Sequence, residues 1–99
     1  MTVTFDYKLQ LGNKFYVALI GNNWSTNYYG YFCFDDNGET TDYSGVTCHK
    51  GEDGYVSVTI NLDEATKMTG TAERAIKSFY IHPNNSNATV YLDNVFFNE

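Results

Sequence analysis

The sequence predicts an all-β fold, an antiparallel β-sandwich of about seven or eight strands, on three observations. Apolar and polar residues alternate with a period of two over several short stretches, the signature of a half-buried strand. Turn residues interrupt these stretches at spacings of about 8–15 residues, the rhythm of a sandwich. One segment alone has a helix-like composition, and it is too short for more than a turn or two. The 99 residues are expected to form a single domain, 1–99, with one modest core and no second layer for an enclosed active site.

Residues 2–9 open the pattern, Val3, Phe5, Tyr7 and Leu9 alternating with Thr2, Thr4, Asp6 and Lys8, before a turn at Leu11-Gly12-Asn13-Lys14. In 15–20, Phe15, Val17 and Leu19 share one face and Tyr16, Ala18 and Ile20 the other, so both faces are unusually apolar. Residues 21–27 read as a loop that carries the only Trp, Trp24. Residues 28–34 form a third strand, Phe32 and Phe34 on one face and Tyr29, Tyr31 and Cys33 on the other, closed by Asp35-Asp36-Asn37-Gly38, where Asn-Gly is a strong turn signal. Two weaker strands are expected at 39–43 and 46–49, then a turn at Gly51-Glu52-Asp53-Gly54. The clearest strand is 55–62, with Val56, Val58, Ile60 and Leu62 inward. Residues 63–71 hold the helix-like stretch, opened by Asp63-Glu64, and 75–82 and 88–97 supply the last strands. The expected interior comprises Phe5, Val17, Phe32, Phe34, Val58, Ile60, Phe79, Ile81, Val95 and Phe97.

Twelve acidic residues against six basic ones give a net charge of −6, which argues against nucleic acid and anionic membrane surfaces as partners, because both are held by clustered Lys and Arg. No stretch approaches the roughly 20 apolar residues of a spanning helix. Residues 1–10 lack the basic start and apolar run of a secretion signal, so the chain is expected to be one domain of a larger secreted parent whose signal lies elsewhere. Cys33 and Cys48 leave a single disulfide open in an oxidising compartment, and Cys48-His49 is expected to be a strand-end thiol beside a surface imidazole. No metal-finger spacing, phosphate loop, nucleophile elbow or zinc motif is present, and no cofactor is expected. The carboxylate pairs Asp35-Asp36, Glu52-Asp53 and Asp63-Glu64 sit in turn positions, where capping is the default role and opposed acid and base of a glycosidase are not.

Once the core is assigned, aromatic side chains remain on the other phase. Strand alternation turns Tyr16, Tyr29, Tyr31 and Tyr80 away from the interior, with Trp24 in an adjoining loop. Tyr is also simply a good strand residue, and single surface tyrosines need no ligand. As a set, Trp24, Tyr29, Tyr31, Tyr80 and His82 suit a sugar: the C–H face of a pyranose packs on aromatic rings while its hydroxyls exchange hydrogen bonds with polar neighbours. Tyr16, Tyr28, His82 and Asp6 are the supporting candidates.

The segment Gly54-Tyr55-Val56-Ser57-Val58-Thr59-Ile60-Asn61-Leu62 resembles a strand of jelly-roll carbohydrate-binding modules. Ala75-Ile76-Lys77-Ser78-Phe79-Tyr80-Ile81, followed by Val90-Tyr91-Leu92-Asp93-Asn94-Val95-Phe96-Phe97, resembles their closing pair of strands. Residues 3–9 and 16–20 resemble interior strands of the same fold, so the likeness spans most of the chain. It implies a shortened jelly roll, a non-catalytic and extracellular module appended to a bacterial plant cell-wall-degrading enzyme or cellulosomal protein. Its partners would be β-glucan, xyloglucan or β-mannan and the tethered catalytic domain, with the module itself monomeric. Modules of that type usually begin with further strands that help to hold calcium. Those strands are missing here, and Asp93, at a position that often ligates the ion, is expected to be a hydrogen-bonding strand-end residue instead. The rival expectation is a structural or protein-interaction sandwich whose aromatic face docks on a neighbouring domain or a second copy.

Overall fold

A computed structural model describes residues 2–10, 12–23, 27–40, 44–65, 78–84 and 89–98, with only the backbone described for 20–23, 27–31, 63, 65 and 78. Seven strands are present among them: β1 (Thr2–Leu9), β2 (Phe15–Asn23), β3 (Asn27–Phe34), β4 (Val46–Lys50), β5 (Val56–Asn61), β6 (Ser78–Pro83) and β7 (Val90–Asn98). One helical turn, α1 (Leu62–Ala65), follows β5 directly and begins one residue before the expected stretch. The chain is all-β in two antiparallel sheets, a four-stranded one ordered β4-β5-β1-β7 and a three-stranded one ordered β3-β2-β6. No helix among the described residues is long and apolar enough to cross a membrane.

Alternation decides which side of each sheet is buried. On β1, Val3, Phe5, Tyr7 and Leu9 are buried while the residues between them are not, and on β5 Val56, Val58 and Ile60 repeat the pattern. The register sets Val3 opposite Ile60 and Phe5 opposite Val58, so the two strands turn one apolar stripe the same way. Phe15, Val17 and Leu19 of β2, with Phe32 and Phe34 of β3, complete the same buried cluster from the second sheet. The two sheets meet through aromatic edges: Phe5 stands at 82° to Phe34, 5.6 Å apart, and Tyr7 at 71° to Phe15, 4.8 Å apart, the geometries that the ring quadrupole favours. Leu62, expected at the end of a strand, is fully buried as the first residue of α1.

The expected turns hold through their own side chains. Asp35 Oδ1 accepts from the backbone N–H groups of Asn37 and Gly38 at 2.8 and 3.1 Å, and Asp53 Oδ1 accepts from that of Tyr55 at 3.0 Å. Gly54 has φ +86, a conformation that costs other residues strain. Lys14 and Asn84 are tied by two hydrogen bonds across 70 positions: Asn84 N–H donates to the Lys14 carbonyl at 3.0 Å, and Lys14 N–H donates to the side-chain Oδ1 of Asn84 at 3.1 Å.

Several expectations change. The loop expected from residue 21 begins later, because β2 continues to Asn23. Of the strand expected at 39–43, the described part is a single bridge between Phe34 and Glu39, and 41–43 lie outside the described residues. Val95 and Phe97 were expected in the interior. They occupy the core side of β7, an edge strand of its sheet, but are 37% and 49% exposed. Phe79 of β6 reaches Phe97 at 5.7 Å, and both Phe79 and Ile81 are only half-buried at this open side. Cys33 and Cys48 are both free. Cys33 falls on the phase of β3 opposite to the buried Phe32 and Phe34, whereas Cys48 packs against the core from β4, so the two thiols belong to different sides of the three-stranded sheet. His49, one residue on, is exposed beside Ser57 on the far face of its sheet, as a strand neighbour must be.

Candidate functional site

The outer face of the three-stranded sheet gathers part of the expected aromatic set. β2 is the central strand, and the register places Tyr16 between Cys33 of β3 and His82 of β6. In the next row of the register, Ala18 lies between Tyr31 of β3 and Tyr80 of β6. Ala18 and Cys33 are buried on this face, so the small residues form its floor, with Tyr16, Tyr80 and His82 standing beside them. Tyr80 is 44% exposed, His82 is exposed and Tyr16 is half-buried.

The rings of Tyr80 and His82 lie nearly parallel, 16° apart in plane, with centroids at 6.2 Å. That separation follows from their placing at i and i+2 on one strand, where successive side chains of one face stand roughly 6.5 Å apart. Two parallel rings at a sheet edge offer a flat, amphipathic strip: an apolar ring face, a phenolic hydroxyl and an imidazole able to donate or accept.

The other expected residues are distributed as follows. Trp24 lies outside the described residues. Tyr28 and Tyr31 keep their places on β3, opposite Ile20 and Ala18 respectively. The register shifts between Leu19 and Ile20 and leaves Tyr29 as the extra residue of a bulge beside Gly30. Asp6 is elsewhere altogether. It lies on the outer face of the four-stranded sheet, where its Oδ2 accepts from Asn94 Nδ2 at 2.8 Å.

That second face carries groups the sequence did not single out. Lys8 Nζ donates to the Asp53 carbonyl at 3.1 Å and stands 5.7 Å from the centre of the Tyr55 ring, a cation–π distance. Beside it, Lys8, Leu9, Gln10, Thr89 and Tyr91 line a shallow hollow of about 340 Å³. Asp93 lies within β7 rather than at its end, and its Oδ1 accepts from the N–H of Asn94 at 2.8 Å. Among the described residues no group of three His, Cys, Asp or Glu side chains could hold a metal ion.

Comparison with protein-family models, with curated proteins and with solved structures gave no match.

Proposed function

We propose that the chain is a non-catalytic carbohydrate-binding module with a shortened jelly-roll sandwich fold. It recognises a β-linked plant cell-wall polysaccharide, such as β-glucan, xyloglucan or β-mannan, on the outer face of its three-stranded sheet. The observation that supports this reading is the exposed, nearly parallel Tyr80–His82 pair beside Tyr16, a strip on which successive sugar rings can lie. The ligand would be neutral, in keeping with a chain of net charge −6. Its role would be extracellular, keeping a tethered hydrolase close to its substrate by raising the effective concentration.

Affinity electrophoresis in gels containing each glycan tests this. The intact protein is expected to be retarded by at least one of them. Tyr80→Ala should weaken that retardation by ten- to thirtyfold, equivalent to about 1.5–2 kcal/mol for losing one aromatic contact, without lowering the melting temperature. Migration unaffected by every glycan, or by the substitution, overturns the reading. A second reading, a protein-interaction domain, is favoured by one observation only, the exposed β7 edge.

A further inference from the structure

Among the described residues, six large hydrophobic side chains are exposed, and five of them, Tyr91, Leu92, Val95, Phe96 and Phe97, lie on β7. An edge strand that leaves apolar groups on both faces is a template for pairing, and natural proteins usually guard such edges with Lys or Pro. β7 carries neither, and Asp93 is its only charge.

The strand is also complementary to itself, through its bulge. Asn94 adopts φ +52, and the pairing with β1 shifts between Thr4 and Asp6, so the alternation changes phase there. Val90, Leu92 and Phe97 oppose Leu9, Tyr7 and Val3 on the core side, joined by Val95, while Tyr91, Asp93 and Phe96 oppose Lys8, Asp6 and Thr4 on the outer side. If β7 is laid antiparallel to an identical strand with Asp93 opposite Asn94, Leu92 meets Val95 and Val90 meets Phe97, all on the core side. On the outer side Tyr91 meets Phe96. Apolar residues then face apolar residues on both faces, Asp93 does not face itself, and each pair is of a kind that stabilises sheets. A two-fold axis generates this contact without any further requirement.

We infer that β7 is a self-association edge, at which a second copy of this chain pairs antiparallel in that register. The area sets its strength. With Tyr91, Phe96 and Phe97 about half exposed, and each aromatic side chain carrying about 150–250 Å², the apolar surface available is on the order of 300–400 Å² per copy. A stable interface needs about 800 Å² per partner, so the dimer is reversible and forms at high concentration. The bulge interrupts the ladder at its centre, and the net charge of −6 on each copy opposes approach, so added salt strengthens association. The contact uses the edge of β7 in the four-stranded sheet, whereas the Tyr80–His82 strip lies on β6 of the three-stranded one, and it does not depend on glycan binding.

Sedimentation equilibrium from about 5 µM to about 1 mM, the range in which a small interface associates, tests the inference. The weight-average mass is expected to rise from monomer toward dimer, and Phe96→Lys is expected to move that rise at least about tenfold higher in concentration while preserving the circular-dichroism melt. A mixture of single variants Tyr91→Cys and Phe96→Cys should give a reducible cross-linked dimer in larger yield than either variant alone, since residue 91 faces residue 96 and not itself. A monomer mass throughout the range, or association that Phe96→Lys leaves unchanged, overturns the inference. Equal cross-linking by the separate variants overturns the register.

Discussion

Among the tyrosines whose side chains are described, Tyr7 is the one that is fully buried, and its removal is informative because two of its contributions separate. The ring packs edge-on against Phe15 and Phe34, at 4.8 and 5.5 Å, while the hydroxyl donates to the Asp35 carbonyl at 2.6 Å. Tyr7→Phe keeps the ring and deletes the donor. A typical net hydrogen bond is worth about 1 kcal/mol, so the variant should melt about 4–8 °C lower at neutral pH for a domain of this size.

The pH dependence then has a fixed sign. Burial, reinforced by Cys48 and the carboxylates of Asp35 and Asp36, pushes the Tyr7 hydroxyl well above its ordinary range. The unfolded chain therefore releases this proton first, near pH 10, and the native state holds it. Stability contributed by the protonated group is complete below pH ~10 and is lost as pH rises beyond it, at about 1.4 kcal/mol per pH unit. Tyr7→Phe lacks that loss. The advantage of the native protein, about 1 kcal/mol at pH 8, should vanish near pH ~11 and reverse above it. Urea unfolding followed by circular dichroism at several pH values measures this. A variant as stable as the native protein at pH 8, or a difference constant from pH 8 to 11, would refute the account of Tyr7.

Two other perturbations have defined outcomes. Asn94→Gly should cost under about 0.5 kcal/mol and Asn94→Val about 2, because a β-branched residue resists the left-handed φ of +52 that the bulge requires; paired thermal melts read the difference. Cys33 is buried, and burial raises the thiol pKa of half-buried Cys48, so in native buffer near pH 8 both should react with a disulfide reagent at least about tenfold more slowly than in urea. Rates equal to those of free cysteine, or a thiol count of zero in unreduced protein, would contradict the structure.

Much of the architecture is legible from alternation alone, because a strand with one dry face has no choice about which residues it turns inward. β1 and β5 show this most cleanly, their buried and unburied residues alternating along the strand. What alternation does not carry is sheet order and bulge position. Val95 and Phe97 share the inward phase with Val17, yet they stay half open at the β7 edge while Val17, on the central β2, is fully buried. Asp6 stands apart from the candidate surface because it belongs to the other sheet, and a register shift leaves Tyr29 as the extra residue beside Gly30; period-two reading shows neither. Tyr80 and His82 were recoverable because two residues at i and i+2 on one strand need no tertiary information to be neighbours.

The position of β1 constrains the order in which the chain can fold. Its register partners run to Asn61 on one side and to Asn98 on the other, whereas β2–β3 and β4–β5 are pairings of consecutive strands. Closing such distant contacts is costly in chain entropy, so the two local hairpins should form first and folding should take milliseconds to seconds. During synthesis, then, β1 emerges before either of its neighbours. Val3, Phe5, Tyr7 and Leu9 gain their strand neighbours only when residue 61 and then residue 98 have followed, so the first shelter open to that nascent apolar stripe is the β2–β3 hairpin, whose Phe15 and Phe34 pack against Tyr7 and Phe5.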